Sequence, residues 1–243
     1  MAKAESSFSI LILFLLQVQF FYKAMAKLAL SSSILPVLLL FFISGQAEAS
    51  TVEWVKTWCI AKPSTSKEAL QNNLEYACSN INAMDCTAIQ EGGPCSEPND
   101  LLLYASFAMN AYYQAKGRHY WNCDFSNSGL ISLTDPSYGS CTYEGGETAV
   151  DDSNSGKWCV ASPSASDDQI QANIDFACDK VDCSIISSGG ACYEPNTVKN
   201  RASVAMNLYY QQTGQADTSC DFNGSGNIIR TDPSYGDCKF KYS

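Results

Sequence analysis

The sequence TDPSYG spans 134–139 and occurs again at 231–236, and in each copy a cysteine follows two residues later, Cys141 in the first and Cys238 in the second. Asp-Pro with a nearby Gly favours a turn, because proline presets φ, aspartate can hydrogen-bond the backbone and glycine adopts positive φ without steric cost. The stretch therefore predicts the same tight turn, at the same distance from a cysteine, twice in one chain.

The cysteines indicate that the turn is repeated because a whole module is repeated. The chain has 12 cysteines, and they fall into two sets of six in which four of the five intervals are identical. The first set is Cys59, Cys78, Cys86, Cys95, Cys123 and Cys141, and the second is Cys159, Cys178, Cys183, Cys192, Cys220 and Cys238. The words between them also agree: WCIAKPS with WCVASPS, GGPCSEPN with GGACYEPN, AMNAYYQ with AMNLYYQ, and CDFSNSG with CDFNGSG. Such self-similarity predicts two tandem copies of one structural unit.

The first 49 residues have the pattern of a targeting region. An apolar run at 28–43 leads to Ala-Glu-Ala at 47–49, the small-x-small pattern of a signal-peptidase site, so 25–49 is interpreted as a signal peptide. An earlier apolar run at 8–22 leaves two alternatives. Either Met25 is the true start, or this run acts as a membrane anchor, although it is short for a bilayer.

The remaining chain is predicted to divide into three parts. A first module covers 52–143 and a second covers 158–243, and between them 144–157 has the Gly-, Ser- and acid-rich composition of a linker. Two weak sites joined by a flexible linker would gain avidity for a polymer.

Composition limits the function. The formal net charge of −10 is the reverse of the basic footprint of a nucleic-acid-binding protein, so no nucleic-acid partner is predicted. An even number of cysteines behind a secretory signal predicts disulfides. The sequence contains no Cys-x-x-Cys pair, so the cysteines do not have the spacing of a metal site. The single histidine, His119, is interpreted as a surface residue, and no metal or cofactor is predicted.

Residue spacing predicts the α+β class: two small disulfide-rich modules in tandem, each with a few helices and a short antiparallel sheet. In the first module, apolar positions at helical spacing predict a helix from after Ser66 to about Ser79. A second helix is predicted from an N-cap at Asn99 to a C-terminal glycine at Gly117, with Tyr112 in its buried stripe. The counterparts in the second module are Asn196, Gly214 and Tyr209.

The last part of each module is predicted to be a hairpin. In the first module Leu130–Leu133 and Cys141–Tyr143 would pair as two short strands, closed by the TDPSYG turn. The cysteine after the turn would then attach the return strand to the module.

The motifs W-C-[IV]-A, G-G-x-C-x-E-P-N, A-M-N-x-Y-Y-Q, C-D-F and T-D-P-S-Y-G-x-C resemble the plant X8 domain, also called carbohydrate-binding module family 43, in two tandem copies. Members occur alone, attached to family 17 β-1,3-glucanases, and in plasmodesmatal callose-binding proteins and olive-pollen-type allergens. The resemblance implies β-1,3-glucan binding on a fold of a few helices and a small antiparallel sheet.

The resemblance also implies a disulfide pairing, which spacing alone leaves open among 15 connectivities per module. The implied pairs are Cys59–Cys123, Cys78–Cys86 and Cys95–Cys141 in the first module, and Cys159–Cys220, Cys178–Cys183 and Cys192–Cys238 in the second.

A sugar polymer is bound by flat aromatic side chains on the sugar faces and by polar groups on the hydroxyls. Tyr113 and Tyr210 are candidates because helical geometry turns each of them about 100° from the preceding, buried tyrosine. Packing against the hairpin is their alternative role. The further candidates, each with core packing as its alternative, are Tyr138, Tyr235, Trp58 and Trp158.

The two modules differ before their fifth cysteine. The first module has Tyr120 and Trp121, which predict an extra stacking platform there and tighter glucan binding by the first module. The alternative is that Trp121 shields the Cys123 bridge. The second module has a glycosylation sequon at Asn223, and a glycan there would block part of its surface.

No catalytic residues are predicted. A glycosidase needs two carboxylates that flank the scissile bond, and each recurring acidic residue instead suits a helix start, a turn or a position beside a bridged cysteine. These residues are Glu97, Glu194, Asp124, Asp221, Asp135 and Asp232.

The predicted function is therefore non-catalytic binding of β-1,3-glucan by a monomeric, secreted protein of the cell wall or apoplast, with plasmodesmata as a second location. The polar end of the sequence, KFKYS, predicts no GPI anchor. The competing class is a secreted disulfide-rich defence, inhibitor or lipid-binding protein.

Overall fold

The computed structural model describes residues 52–151 and 156–241. The predicted targeting region, with its two alternative starts, lies outside the described residues. The first module runs through β1 (Val52–Ala61), α1 (Lys67–Ser79), a 3₁₀ helix (Ala83–Ile89), α2 (Leu101–Ala115), a 3₁₀ helix (Tyr120–Cys123), β2 (Gly129–Ser132) and β3 (Gly146–Asp151). The second runs through β4 (Trp158–Ala161), α3 (Asp167–Cys178), a 3₁₀ helix (Ser184–Ile186), α4 (Val198–Gln212), two 3₁₀ helices (Asp217–Cys220 and Phe222–Gly224) and β5 (Gly226–Ile229). The α+β class and the tandem arrangement are confirmed, and none of these helices is long and apolar enough to cross a membrane.

The predicted helices are present, with one correction to their starts. Helix α1 begins after Ser66, whose side chain accepts a hydrogen bond from the backbone N–H of Ala69. The N-cap of α2 is Asp100 rather than Asn99, because the Asp100 carboxylate accepts from the N–H of Leu102 at 2.8 Å. The same shift occurs in α4, where Thr197 replaces the predicted Asn196. Both helices end before a glycine with positive φ, Gly117 and Gly214, as predicted.

The predicted hairpin is wrong. Strand β2 pairs antiparallel with β1 and with β5, not with 141–143. The TDPSYG segment is a folded loop in which the Asp135 carboxylate accepts a hydrogen bond from the N–H of Ser137 at 2.9 Å. An isolated antiparallel bridge joins Tyr138 to Cys141 within this loop. The turn therefore forms as its residues predict, but the apolar strand before it pairs with β1 and β5 rather than with the residues after the turn.

Three polar side chains on α2, which we call the polar ladder, form hydrogen bonds with backbone groups along one edge of β1. The hydroxyl of Ser106 accepts from the N–H of Ala61 and the Asn110 amide oxygen accepts from the N–H of Cys59, both at 3.0 Å. The Gln114 amide donates to the carbonyl of Thr57 at 2.9 Å. In α4, Ser203, Asn207 and Gln211 make the same three bonds to Ala161, Cys159 and Lys157. The repeated AMN-x-YYQ word thus encodes a helix that satisfies strand-edge groups that would otherwise be exposed to pairing with another chain.

The two modules share one sheet. Its strand order is β3-β1-β2-β5-β4, and Ser132 of β2 faces its repeat counterpart Ile229 of β5. The flanking bonds are symmetric: the N–H of Leu133 donates to the Ile228 carbonyl at 2.8 Å, and the N–H of Arg230 donates to the Ile131 carbonyl at 2.9 Å. A local two-fold axis therefore relates the modules at this strand pair.

Buried side chains also cross the junction. Ile60 and Leu130 of the first module belong to the same buried apolar cluster as the core of the second. The buried Lys62 ammonium donates to the carbonyl of Ser234 at 3.2 Å, and its burial lowers the pKa of Lys62 while Asp232 and Asp124 oppose that shift.

The segment predicted as a linker is partly a strand. Residues 146–151 pair with the first half of β1, so that Thr148 lies opposite Val55 and Lys56 opposite Glu147. The β-branched residues of this segment suit a strand. The flexible tether between two independent modules is therefore not what the described residues show, because 146–151 continues the sheet.

The six disulfides join the pairs that the resemblance implies. They are Cys59–Cys123, Cys78–Cys86, Cys95–Cys141, Cys159–Cys220, Cys178–Cys183 and Cys192–Cys238. At roughly 2–4 kcal/mol each, they add stability that modules of this size cannot obtain from a small apolar core alone.

Candidate functional site

A cluster of three aromatic rings lies on the surface of the first module. Tyr76 at the end of α1 is 5.5 Å from Tyr112 near the end of α2, and Phe125 lies 5.5 Å from Tyr112 and 6.2 Å from Tyr76, measured between ring centroids. Tyr76 is 52% exposed. The ammonium of Lys116 lies 5.6 Å from the centre of the Tyr112 ring. We call Tyr76, Tyr112 and Phe125 the first aromatic cluster.

The second module carries the same cluster at the equivalent positions. Phe176, Tyr209 and Phe222 have ring centroids 5.2, 5.8 and 6.1 Å apart, and Phe176 is 48% exposed. The rings of both clusters meet edge to face or tilted, which suits aromatic quadrupoles. We call these three residues the second aromatic cluster. An exposed aromatic group retained in both copies of the module is the most distinctive surface feature of the described residues.

The fold places the two clusters at opposite ends of one body. Strands β1 and β4 are antiparallel to each other because three antiparallel pairings separate them. The polar ladder of α2 shows that this helix runs antiparallel to β1, and the equivalent bonds show that α4 runs antiparallel to β4. The two helices therefore also point in opposite directions. Their N-termini meet, with the Lys199 ammonium 3.0 Å from the Asp100 carboxylate. The clusters lie near the far ends, about 18 Å along each helix from its start at 1.5 Å per residue.

The first module has a further aromatic platform, formed by His119, Tyr120 and Trp121. The His119 and Trp121 rings are stacked at 4.4 Å, and Tyr120 meets Trp121 edge-on at 5.1 Å. Tyr120 is 72% exposed and Trp121 is 57% exposed. The loop is held against β3 by Arg118, whose Nε donates to the carbonyl of Glu147 at 3.2 Å. Both rings predicted as a stacking platform are thus presented to solvent.

The remaining predicted binding residues are less exposed than this platform. Tyr113 and Tyr210 are both 0% exposed, the reverse of the assignment made from helical spacing, and their neighbours Tyr112 and Tyr209 are the half-exposed pair. The error arose because the polar ladder rotates α2 so that Tyr113 faces β1, where its hydroxyl lies 3.0 Å from the Thr57 hydroxyl.

The tryptophans and turn tyrosines are also partly or fully buried. Trp58 and Trp158 are each 6% exposed, and the Trp58 indole donates to the Tyr143 carbonyl at 3.3 Å. Tyr138 and Tyr235 are half-buried, and the Tyr235 hydroxyl accepts a hydrogen bond from the Asn200 amide. Core packing, the alternative role, is therefore the one the structure favours for the two tryptophans, and a binding role for Tyr138 and Tyr235 stays a prediction.

Sequence reasoning missed Tyr76 and Phe176, although a signal was present. Both stand two residues before a bridged cysteine, and both lie off the apolar stripe formed by Leu74 and Ala77 in the first module. An aromatic residue repeated at a position that does not face the core indicates a functional surface. The half-exposed Phe125 and Phe222, interpreted as core, belong to the same surface.

Three of the recurring acidic residues bond the backbone close to them. The Asp232 carboxylate accepts from the N–H of Ser234 at 2.9 Å, as Asp135 does in the first module. The Glu194 carboxylate accepts from the N–H of Asn196 at 3.0 Å. Within the described ranges, no group of three His, Cys, Asp or Glu side chains is placed to hold a metal ion.

Two disulfide-bonded modules, each with the same aromatic cluster on its surface, define a class of small tandem module, and comparison with known proteins gives the family. The X8 domain model matches residues 57–130 and 157–227, so the chain belongs to the X8 domain family.

Its relatives are plant proteins. A wheat glucan endo-1,3-beta-glucosidase is 51% identical over 88 residues, which cover 36% of this chain and 19% of the enzyme. The olive major pollen allergen Ole e 10 is 50% identical over 88 residues, 36% of this chain and 71% of the allergen. The plasmodesmata callose-binding protein 5 of Arabidopsis thaliana is 38% identical over 116 residues, 48% of this chain and 61% of that protein. The chain thus spans about a fifth of the length of the glucanase.

Proposed function

We propose that the chain binds β-1,3-glucan through its exposed aromatic clusters and does not cleave it. The observation that carries the proposal is the recurrence of an exposed cluster at the same place in both modules of a family that includes a callose-binding protein. The C–H faces of sugar rings pack on flat aromatic side chains, and tyrosine adds a hydroxyl that can bond the sugar edge. The charge of −10 does not oppose a neutral polymer.

The first module is expected to bind more tightly. Its cluster has hydroxyls on both Tyr76 and Tyr112, which lie 3.4 Å apart, where the second cluster has Phe176 in place of Tyr76. Lys116 adds a donor beside the first cluster, and Thr213 is its counterpart in the second module. The exposed Tyr120 and Trp121 have no aromatic counterpart in the second module.

The fixed distance between the two clusters determines which ligands can bind both at once and so gain apparent affinity. Because the clusters lie at opposite ends of one body, a short oligosaccharide occupies one cluster, whereas a long polymer or a gel can contact both. A second contact made within one complex raises the apparent affinity without any new chemistry. The gain comes from a fixed spacing rather than from the flexible linker expected from composition.

Catalysis is not part of the proposal. Glycosidases hold two carboxylates about 5–10 Å apart around the scissile bond. Here Asp135 and Asp232 are occupied by their own turns, and Glu194 bonds the backbone beside it. The activity of the glucanase relatives is a property of proteins that this chain covers over about a fifth of their length.

The competing lipid-binding function is less well supported. A cleft of about 320 Å³ lies at the junction of the modules, and its lining mixes the charged Lys157, Asp217 and Asp221 with the apolar Leu133 and Ile228. A lipid chain favours a wholly apolar lining, which this mixed, charged lining does not offer.

The six disulfides support secretion, and the name of the plasmodesmata callose-binding relative supports a place at callose in the plant cell wall. The test is retention of the disulfide-bonded chain on insoluble β-1,3-glucan, with cellulose and xylan as controls and with released reducing sugar measured in the same samples. Selective retention without released sugar is expected. Equal retention on all three polysaccharides, or none, would contradict the proposal.

A further inference from the structure

The sequon at Asn223 lies directly beside the second aromatic cluster. Asn223 is exposed, follows Phe222 in the chain and has a φ of 55°, a left-handed conformation that asparagine adopts more readily than most residues. Asn-Gly-Ser is an acceptor for N-linked glycans in proteins that pass through the secretory pathway, and the six disulfides indicate such a history. The acceptor side chain is therefore accessible.

A glycan on Asn223 would start one residue from a ring of the cluster. Phe222 lies 5.8 Å from Tyr209 and 6.1 Å from Phe176, whose ring is half exposed. If exposed aromatic rings bind sugar faces, the chain's own glycan is a ligand of the same chemistry. Because it is tethered, its effective concentration at the cluster is on the order of millimolar, so it competes strongly with free polysaccharide.

The first module has no such acceptor. Ser126 stands where Asn223 stands in the second module, and the residue two positions after Asn127 is Gly129 rather than Ser or Thr. The Asn127 side chain instead accepts a hydrogen bond from the Lys62 ammonium at 3.2 Å. The first aromatic cluster therefore has no glycan acceptor at the equivalent loop.

We propose that Asn223 is N-glycosylated and that its glycan covers the second aromatic cluster, leaving the first module to bind β-1,3-glucan. The proposal rests on the proposed function of the clusters. It makes glycosylation a switch between a chain with one free cluster and a chain with two at fixed spacing.

The test compares the full chain, secreted from a glycosylating host, with an Asn223→Ser variant, which places in the second module the residue that the first module already has. The native chain is expected to lose mass on treatment with an N-glycan amidase, and the variant is not. An unchanged mass for the native chain would overturn the proposal.

Covering of the cluster is measured without glucan, by nitration of tyrosines followed by peptide mass analysis. Tyr112 and Tyr209 stand at equivalent positions and are both half-exposed, so Tyr112 serves as a control that the glycan should not affect. Tyr209 is expected to react several-fold more slowly in the glycosylated native chain than in Asn223→Ser, while Tyr112 reacts at the same rate in both. An unchanged Tyr209 rate between the two chains would overturn the covering.

The functional consequence is measured on insoluble β-1,3-glucan after the first module is disabled by Tyr76→Ala with Trp121→Ala. In this background the glycosylated chain is expected to lose retention and Asn223→Ser to keep it. Equal retention with and without the glycan would contradict the switch. If no form binds glucan at all, the proposed function fails, while the mass and nitration results still decide whether the glycan is present and covers the cluster.

Discussion

Tyr113 and Tyr210 are a matched pair in which one phenol is satisfied and the other is not. Both are fully buried at equivalent positions. The Tyr113 hydroxyl lies 3.0 Å from the Thr57 hydroxyl, whereas the Tyr210 hydroxyl has no hydrogen-bond partner within the described ranges, where Lys157 stands in place of threonine. Substitution by phenylalanine removes the same atom from each site, so the two variants should change stability in opposite directions.

The magnitudes follow from the contacts. Tyr113→Phe removes one buried hydrogen bond, and Thr57 keeps its bond to Thr148 at 3.1 Å, so the free energy of unfolding should fall by about 1 kcal/mol. Tyr210→Phe removes a buried polar group that lacks a partner, so the free energy of unfolding should rise by about 1 kcal/mol. For a folded unit of this size each change corresponds to about 2–4 °C in Tm.

Scanning calorimetry of the disulfide-bonded chain measures both variants. A lower Tm for Tyr113→Phe and a higher Tm for Tyr210→Phe are expected, and two shifts of the same sign would refute the reasoning. Alkaline pH gives a second readout, because burial raises the pKa of Tyr210 from about 10 to about 12. Between these values the unfolded chain releases the phenol proton and the native chain does not. Stability should therefore fall from pH 10 to pH 12, by at most about 1.4 kcal/mol per pH unit, and less so in Tyr210→Phe.

Three further predictions concern the fold. Asn110→Ala leaves a β1 edge amide and a loop carbonyl unpaired, so the free energy of unfolding in chemical denaturation should fall by about 3 kcal/mol. The control Asn122→Ala removes one solvent-exposed hydrogen bond to the Lys116 carbonyl and should cost less than about 0.5 kcal/mol; similar costs would contradict the ladder. Replacing both cysteines of the Cys192–Cys238 bridge, which are 46 residues apart, should lower the free energy of unfolding by about 4 kcal/mol, because this bridge closes a long loop in the unfolded chain. Replacing Cys178 and Cys183, which are 5 residues apart, should lower it by about 2 kcal/mol. A larger loss for the short loop would show that loop length does not determine the stability that these bridges add. Leu130→Ala should cost about 2–5 kcal/mol and shift one common calorimetric transition, because its cluster spans both modules; two separate transitions would contradict the shared core.

Much of the fold could be predicted from the repeat. Helix α1 and the glycine ends of α2 and α4 follow from local rules of spacing and capping, and these were predicted correctly. The hairpin was wrong because local turn chemistry does not specify which strand pairs with β2. Its second partner, β5, lies almost 100 residues away in sequence, and only the tertiary fold brings the two copies edge to edge.

The candidate site was predicted in part. Tyr120 and Trp121 were recognised because they have no counterpart in the second module. Tyr113 and Tyr210 were misassigned because hydrophobic spacing does not reveal a helix that aims a polar ladder at a strand edge. That ladder sets the rotation of α2, so it decides which tyrosine of the YY pair is buried, and a pattern of apolar residues alone cannot show this.

The most direct test of the central claim is the affinity for soluble β-1,3-glucan of the full chain and of a variant in which each exposed platform loses a ring, Tyr76→Ala, Trp121→Ala and Phe176→Ala. Trp54→Ala is the matched control, because Trp54 is 67% exposed on β1 and belongs to neither cluster. The first module alone loses two stacked rings at about 0.5–1.5 kcal/mol each, so the triple variant should bind at least about fivefold more weakly. The Trp54 variant should bind like the native chain. Unchanged affinity in the triple variant, with a native fold and intact disulfides, would show that the aromatic clusters are not the glucan-binding surface.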